Sequence, residues 1–551
     1  MTIEKSKGLT ESEHRLVKLG EKVFMGLWSY PNPMMLTSSG FQELCDLLVI
    51  CGDTVLVFSD KNIKYNENKA PLVAWQRWER KAVLESIKQL HHAENIIRDN
   101  PGMIWLNKNQ RLPISIPSKE NLKIHLICVA NGVAEACKKF FGPGCSGSLR
   151  FSNMGLVKDF KPEEFSALNS TEQQQYLNMS LFFTHDYEPS KTFVHVFDDY
   201  SFPFVLNELN TLTDFVWYLE EKERFLRCIP VTYTGEEDLL FRYLHNFDDK
   251  RQMHTFMPTE DERNCDGCLF FEEDWESLKR SRRYLSKVKA DRESYFWDEL
   301  LRDNSFCTLN DITKIVYQSK PSDKDILLRY MAMEDRLSRR AFSHAILGAI
   351  NRCEKDQIRM TAFMSKVTPG LLYMFLQIDA IRFDTYQNYV STRRNMLENY
   401  VHYAKAKCTE ENIDVTRVIG IAIEPPKHRE VRGTDMVYVE FKDWPKSIHE
   451  YWNAERIKNG VFRQKFSECN RFADKEWPDS DMPTTAMQAA EIAKQREKEN
   501  QIRLSKELEQ KQYNNDMKRL AQEALDEAKE SNAIAKDSKQ IAKEGAYCEN
   551  K

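Results

Sequence analysis

Residues 43–61 (ELCDLLVICGDTVLVFSDK) constrain the fold of this chain more than any other stretch. Two apolar runs flank Gly52 and Asp53, and a Gly-Asp pair between such runs is a turn signal for a β-hairpin. Strands this rich in Leu, Val, Ile and Phe are expected to be buried. Because antiparallel pairing sets the start of one strand beside the end of the other, we expect Asp46 and Lys61 to meet at one edge of an apolar sheet.

The segments on either side of the hairpin predict a small α/β domain. Thr10 and Glu13 stand in the relation of a capping box at the start of a segment with helical periodicity. The predicted elements are a helix at 10–28, the hairpin, a helix at 71–98, and strands at 111–116 and 123–131. This order is that of an α/β domain with a mixed sheet, which we assign to residues 1–141.

The remainder of the chain divides by composition and periodicity into three further regions. Residues 142–155 are rich in Gly and Ser and mark a boundary loop. The regions are an α+β domain at 156–265, a mainly helical region at 270–480 that ends in a hairpin of strands 415–423 and 434–441, and a long charged helix or coiled coil at 484–545. The last region has few large apolar residues, and we expect it to contact a second copy or another protein partner.

The composition is that of a soluble globular protein. The 551 residues carry a net charge of −5, which argues against a generally basic nucleic-acid coat but leaves a local basic groove open. No apolar run approaches the ~20 residues of a membrane span, and the N-terminus lacks the apolar region of a signal peptide. A cytoplasmic location without a membrane partner is expected. The thirteen cysteines form no framework, and Cys45, Cys51 and Cys128 are predicted to be reduced core residues.

The polar residues at the edge of the hairpin have the chemistry of a phosphodiesterase site. Mg²⁺ takes oxygen ligands, usually one or two carboxylates, and it activates water for attack on a phosphodiester. Asp46, with a further acid such as Glu43, meets that demand, and Lys61 can orient the water or stabilise the transition state. Gln89, on the following helix, is expected to contact the phosphate or support the lysine. A structural ion pair is the alternative interpretation of Asp46 and Lys61.

This set of residues resembles the PD-(D/E)xK nuclease superfamily, particularly its nuclease-related (NERD-like) members. The resembling features are Gly20-Glu21 in the first helix, Glu43-Leu-Cys-Asp46, the apolar hairpin, Ser59-Asp60-Lys61, and Lys88-Gln89 on the next helix. The resemblance covers about the first 140 residues. It implies a restriction-endonuclease-like fold and a Mg²⁺- or Mn²⁺-dependent endonuclease acting on nucleic acid, with DNA as the expected substrate and defence against foreign DNA as the expected role.

One departure from the family pattern concerns the acid that precedes the lysine. Where the family has Glu-x-Lys, this chain has Ser59, and strand alternation sets Ser59 and Lys61 on one face with Asp60 on the other. Asp60, Glu43 or Glu21 could supply the missing ligand, so the resemblance implies a metal set drawn from these acids and Asp46. The alternative is a non-catalytic nucleic-acid-binding or regulatory protein on a degenerate nuclease fold.

Overall fold

The computed structural model describes most of the chain up to residue 478. The described residues are 5–142, 144–154, 165, 168–248, 250–256, 269–272, 275–309, 323–352, 358–378, 383–424, 434–466 and 475–478. The described residues up to Lys279 and from Arg283 onward form one compact unit. The helix predicted at 484–545 lies outside the described residues.

A five-stranded mixed sheet organises the N-terminal region. Its order is β1-β4-β5-β8-β11, with antiparallel pairing from β1 to β5 and parallel pairing from β5 to β11. The elements of this region are α1 (Glu11–Phe24), β1 (Ser29–Pro31), β2 (Met34–Thr37), β3 (Gly40–Glu43), β4 (Leu47–Cys51), β5 (Thr54–Asn62), α2 (Pro71–Glu79), a π-helical turn (Arg80–Leu84), α3 (Glu85–Asp99), a 3₁₀ turn (Pro101–Met103), β6 (Ile104–Asn107), β7 (Gln110–Arg111), β8 (Lys123–Asn131), α4 (Ala134–Phe141), β9 (Arg150–Ser152), α5 (Ser170–Ser180), β10 (Phe183–Thr184) and β11 (Val194–Asp198). The predicted hairpin and the mixed α/β character are therefore confirmed.

Both faces of this sheet are covered, which explains why its central strands are apolar at every position. Leu47 and Phe58 point to one face and join the core beneath α1. Leu48 and Val57 point to the opposite face and pack with Trp75 of α2. All four strand residues are 0% exposed. Because successive side chains of a strand alternate between faces, a strand covered on both sides needs an unbroken apolar run.

The chain continues through a second small sheet and a group of helices. A four-stranded sheet of order β10-β9-β12-β15 and the β13-β14 pair belong to this part. Its elements are α6 (Ser201–Glu208), α7 (Leu212–Cys228), β12 (Val231–Tyr233), α8 (Glu236–His245), β13 (Phe247–Asp248), β14 (Met253–His254), β15 (Leu269–Phe271), α9 (Trp275–Arg280), α10 (Arg282–Asp291), a 3₁₀ turn (Arg292–Ser294), α11 (Tyr295–Leu309), α12 (Asp323–Ala332) and α13 (Arg336–Arg352).

The C-terminal described part is a four-stranded sheet covered by a long helix. Its elements are β16 (Arg359–Met364), β17 (Leu371–Gln377), α14 (Tyr386–Glu410), β18 (Arg417–Ile423), β19 (Thr434–Glu440) and α15 (Lys446–Lys458), and the sheet order is β16-β17-β18-β19. Leu397 and Val401 of α14 pack on the strands, with Gly420 allowing the close approach of helix and sheet. The predicted hairpin of β18 and β19 is confirmed as an antiparallel pair.

Three details of the sequence-based assignment differ from the structure. Residues 112–116, predicted as part of a strand, are not a strand, and only Gln110–Arg111 pair there with β6. Val194–Asp198, assigned by sequence to the second domain, is the fifth strand of the first sheet, so that sheet crosses the proposed boundary near residue 141. The region at 270–480 contains the strands Arg359–Met364 and Leu371–Gln377 as well as its helices.

A small antiparallel sheet completes the N-terminal region. Its order is β3-β2-β6-β7, and β3 ends at Glu43, next to the start of the buried hairpin. Trp105 of β6 packs edge-on against Phe41 and lies beneath the Arg111 guanidinium at 3.7 Å. This sheet thereby fixes the strand that delivers Glu43 to the edge of the main sheet. Among the helices that the structure describes, none has the length and apolar character to cross a bilayer.

Candidate functional site

Asp46 lies at the entrance to β4, with its carboxylate turned toward the neighbouring strand. The Asp60 backbone N–H donates to Asp46 Oδ2 at 2.6 Å, so the carboxylate takes the place of a main-chain acceptor at the end of the hairpin. Asp46 is 5% exposed. Its backbone is also held from the other side, because the Asp46 carbonyl accepts from the Asn32 N–H at 3.0 Å. The local structure therefore fixes this acid.

Asn32 connects two further carboxylates to the same place. Its Nδ2 donates to Glu13 Oε2 at 3.0 Å and to Glu43 Oε1 at 3.3 Å. Asn32 has a φ of 46°, a left-handed conformation that Asn tolerates better than most residues. Residues held in sparsely populated conformations are concentrated at functional sites. The side-chain amide thus bridges an acid on α1 and an acid at the end of β3.

Glu13 is held by the start of its own helix. Thr10 caps α1, with its Oγ1 accepting from the Glu13 N–H at 3.2 Å and donating to Glu13 Oε1 at 3.0 Å. The second carboxylate oxygen accepts from the Leu9 N–H at 2.8 Å. These hydrogen bonds lower the pKa of Glu13 against the opposing effect of burial, and the Lys61 charge lowers it further. Glu13 is therefore an ionised acid, 8% exposed.

The pKa of Asp46 reports how these charges act on one another. Burial raises this pKa from 3.8 to about 7, while the Asp60 N–H and the Lys61 ammonium oppose the rise. Glu43 and Glu13 raise it through like-charge repulsion. Three carboxylates and one ammonium group are thus electrostatically coupled at one end of the mixed sheet. Strongly shifted pKa values of this kind are concentrated at functional sites, and structural networks also produce them.

Lys61 reaches this group from the end of β5. Its side chain is partly exposed, and it affects the pKa values of both Asp46 and Glu13. The two groups thus act on each other through their charges, and the expectation that they meet at one edge of the sheet stays a prediction. Lys61 is the penultimate residue of β5 and pairs with Ala130 of β8.

Ser59, the residue in place of the family acid, is sequestered by the helix behind the sheet. It is 0% exposed, and its hydroxyl donates to Ser86 Oγ and to Gln89 Oε1, both at 3.2 Å. The π-helical turn Arg80–Leu84 lies directly before this contact. Such a turn inserts one residue into a helix and is frequent at functional sites. Gln89 is thereby held through Ser59 beside the strand that carries Lys61.

Asp60 points to the face of the sheet that α1 covers, opposite to the side chain of Ser59. Its Oδ1 accepts from Asn131 Nδ2 at 2.6 Å, and the Ser12 hydroxyl of α1 lowers its pKa against the effect of burial, which raises it. Oδ2 is buried without a hydrogen bond of good geometry from the described residues. Asp60 therefore contributes its backbone N–H to Asp46, and its carboxylate belongs to a contact between α1 and β8.

Glu21, the acid that the resemblance indicated in the first helix, lies elsewhere. It is exposed, and it acts on Lys5, whose pKa it raises against a larger lowering by burial. Glu13 is two turns earlier on the same helix, about 12 Å along the axis at 1.5 Å per residue. The capping-box pattern marked Glu13 only as a helix start. Nothing in the sequence indicated that Asn32 would join Glu13 to Glu43.

The described residues include no group of three or more His, Cys, Asp or Glu side chains arranged to hold a metal ion. In the structure, the Asn32 amide lies between Glu13 and Glu43, and the Asp46 carboxylate bonds to the backbone. Comparison with family models, with curated proteins and with solved structures yielded no match to this chain. The interpretation of the site therefore depends on its own geometry.

Proposed function

We propose that the N-terminal region is a metal-dependent nuclease domain of the PD-(D/E)xK type, which hydrolyses phosphodiester bonds of DNA. The observation that carries this proposal is the grouping of three acids at one end of a mixed sheet. Asn32 joins Glu13 to Glu43, the Asp60 N–H holds Asp46, and the charge of Lys61 acts on Asp46 and Glu13. The order of a helix, a buried hairpin, a helix and a parallel strand supports the restriction-endonuclease-like assignment.

The donor set fits a hard divalent cation such as Mg²⁺ or Mn²⁺. Glu43 and Asp46 offer carboxylate oxygens, in the number that Mg²⁺ usually takes from protein, and Glu13 is joined to Glu43 through the Asn32 amide. The repulsion that raises the pKa of Asp46 is the kind of interaction that a bound cation relieves. When bound, the cation would neutralise the phosphate and lower the pKa of the attacking water. Glu21 is omitted from this proposed set because it is exposed and lies about two helical turns from Glu13. Asp60 is omitted because its carboxylate accepts a hydrogen bond from Asn131, although the charge of Glu13 acts on it.

The remaining groups have roles that follow from their positions. Lys61 provides an ammonium donor next to the acids, where it can orient water or stabilise charge on the phosphate. The Asp60 N–H and Lys61 both favour the ionised form of Asp46, which is the form that binds a cation. Gln89 is fixed by Ser59, and it supports the strand that carries the lysine.

The second candidate is a non-catalytic protein that binds nucleic acid with the same domain. Two observations favour it: Ser59, at the family's acid position, is fully buried against α3, and the described side chains form no three-residue metal group. A fold that keeps Lys61 but cannot hold a cation would bind phosphates without cleaving them.

The test is cleavage of supercoiled plasmid by the full chain with Mg²⁺ or Mn²⁺. Asp46→Asn is expected to abolish nicking, because it removes a charged ligand while keeping an acceptor for the Asp60 N–H. Glu13→Gln and Glu21→Gln are a matched pair on one helix: the first is expected to lower the rate about 100-fold or more and the second to leave it unchanged. Equal activity in the parent and Asp46→Asn would refute the nuclease proposal.

Binding separates the two candidates. Fluorescence anisotropy of a labelled duplex, measured over a range of salt concentrations, reports the phosphate contacts by its slope. Salt-dependent binding by a parent that does not nick DNA with either cation would favour the non-catalytic candidate. Nicking that disappears in Asp46→Asn, with binding retained, would favour the nuclease.

A further inference from the structure

Two cysteines lie side by side where α4 gives way to the glycine-rich loop before β9. The Sγ atoms of Cys137, in α4, and Cys145, in the loop, are 3.9 Å apart. We propose that these residues form an oxidation site in which a hydroperoxide attacks Cys145 and Cys137 completes an intramolecular disulfide. This site is separate from the proposed nuclease site and does not depend on it.

The surroundings of Cys145 favour the reactive thiolate. Cys145 is partly exposed, whereas Cys137 is 0% exposed. A hydrogen bond from the Cys137 thiol lowers the pKa of Cys145 to about 6 against burial, which raises it, and the Gly147 N–H and the Arg150 guanidinium lower it further. The same hydrogen bond and burial raise the pKa of Cys137, so its thiol stays protonated. One sulfur is thus the nucleophile and the other is a held donor.

Arg150 lies close to this pair at the start of β9. Its guanidinium lies over the Phe141 ring at 3.4 Å, and its Nε is buried without a hydrogen bond from the described residues. A cation with spare donor capacity beside a thiol is the arrangement found at reactive cysteines, whereas a structural cysteine in an apolar core is inert. Cys45 and Cys128, both buried in the core, have raised pKa values and match that inert description.

Two glycines lie close before Cys145, the residue that bond formation must move. A disulfide needs the sulfurs about 2 Å apart, so they must approach by nearly 2 Å from their 3.9 Å separation. Cys137 is fixed by its helix, and the movement falls to Cys145. Gly142 and Gly144 on its N-terminal side have φ values of 85° and 101°, and a Cβ at either would meet no atom within 4 Å. Glycines in open space can change their torsions with little steric resistance.

The chemistry balances with a hydroperoxide as the oxidant. The Cys145 thiolate attacks the peroxide oxygen, the O–O bond breaks, and an alcohol or water leaves with a proton from solvent as Cys145 becomes a sulfenic acid. The Cys137 sulfur then attacks the sulfenic sulfur, the S–O bond breaks, and hydroxide leaves with the Cys137 proton as water. Two electrons pass from the two thiols to the peroxide in total.

The experiment treats the full chain with a small excess of hydrogen peroxide, blocks remaining thiols by alkylation, and maps the peptides by mass spectrometry. A Cys137–Cys145 cross-linked peptide is expected as the main product, reversible by dithiothreitol. Cys228, an exposed thiol, is the internal comparison. At pH 6, alkylation of Cys145 should be roughly tenfold faster than that of a cysteine in an unstructured peptide, since the gain in thiolate fraction outweighs the loss in nucleophilicity, and it should also exceed that of Cys228.

Two variants test the separate roles of Cys145 as the attacking thiolate and Cys137 as its partner in the disulfide. In Cys137→Ser, a 1,3-dicarbonyl probe should trap the sulfenic acid on Cys145, and in Cys145→Ser, Cys137 should remain reduced. Absence of the cross-linked peptide from the parent, together with alkylation of Cys145 no faster than that of Cys228, would overturn the proposal. That comparison is made within the parent protein, so it holds even if a variant fails to fold.

Discussion

Asp46→Asn should stabilise the protein at alkaline pH while abolishing the proposed activity. In the folded chain the pKa of Asp46 is about 7, against 3.8 for an ordinary aspartate, because the carboxylate is buried near Glu43 and Glu13. Between pH 4 and 7 the folded state therefore keeps a proton that the unfolded chain has lost. Stability falls as the pH rises through this interval and levels off above about pH 8. Asparagine carries no charge and does not incur this loss.

The size of the expected change in stability follows from the shift in the pKa of Asp46. A change of about three pKa units corresponds to about 4 kcal/mol of differential stability at 1.36 kcal/mol per unit. The amide retains an acceptor for the Asp60 N–H but loses the charge in that hydrogen bond. We therefore expect Asp46→Asn to gain about 2–4 kcal/mol relative to the parent between pH 4.5 and pH 8.

The assay is the thermal midpoint of parent and variant, followed by tryptophan fluorescence at half-unit steps from pH 4.5 to 8.5. Trp75 and Trp78 stack at 5.3 Å in the core beneath the same sheet and report its loss. Buried acids remote from Asp46 titrate equally in both proteins, so the difference between the midpoints reports Asp46 and its interactions with the neighbouring charges. A difference that stays constant with pH, or that moves against the variant as the pH rises, would refute the assigned charge coupling.

Two further substitutions test the lysine and the backbone of the same sheet end. Lys61→Met should lower the nicking rate about 100-fold or more and should raise the pKa of Asp46 further. The control Lys64→Met, at an exposed position three residues on, should leave both unchanged. Plasmid nicking measures the first effect, and the pH profile of the thermal midpoint measures the second. Gly132→Ala should destabilise the fold by about 2 kcal/mol or more, because φ is 93° and the new Cβ would lie 2.4 Å from the Ile63 carbonyl oxygen. In the control Gly102→Ala the new Cβ meets no atom, so this change should be nearly neutral. Urea midpoints compare the two variants, and equal effects would contradict the predicted clash.

The core of the N-terminal region could be predicted because its signals are local. Two apolar runs around Gly52 and Asp53 define the hairpin, and Gly52 has the positive φ of 62° that the turn requires. The helix periodicity at 71–98 and the apolar run at 123–131 likewise matched α2–α3 and β8. Each of these elements is specified by residues within its own segment, so one sequence is sufficient to place it.

Long-range pairing could not be predicted in the same way. Val194–Asp198 reads as a strand from its own residues, but nothing in it states that its partner is β8 rather than a strand of the next region. The strands Arg359–Met364 and Leu371–Gln377 were missed, although Leu371–Gln377 is buried throughout and pairs in parallel with β18. A short apolar run cannot be distinguished from a buried helix by periodicity alone.

The site illustrates the same division between local and distant signals. Asp46 and Lys61 belong to one hairpin, and their expected approach follows from strand pairing. Glu13 is joined to Glu43 by Asn32, which lies between β1 and β2 in a left-handed conformation and donates to both acids. The family resemblance indicated Glu21 because Gly20-Glu21 matches the family's Gly-Glu pair. In the structure, the α1 acid whose charge acts on Asp46 is Glu13, at the start of the same helix.

Under the proposed function, this arrangement accounts for the absence of an acid at position 59. A glutamate there would lie beneath α3, where Ser59 is 0% exposed and fits between Ser86 and Gln89. Burying the carboxylate of that glutamate would cost several kcal/mol without a partner. Glu13, supplied by the helix on the other side of the sheet end, already acts on Asp46 and Lys61. Glu13 thus takes the place of an acid at position 59, and Ser59 becomes part of the core. This explanation requires that Glu13→Gln loses activity.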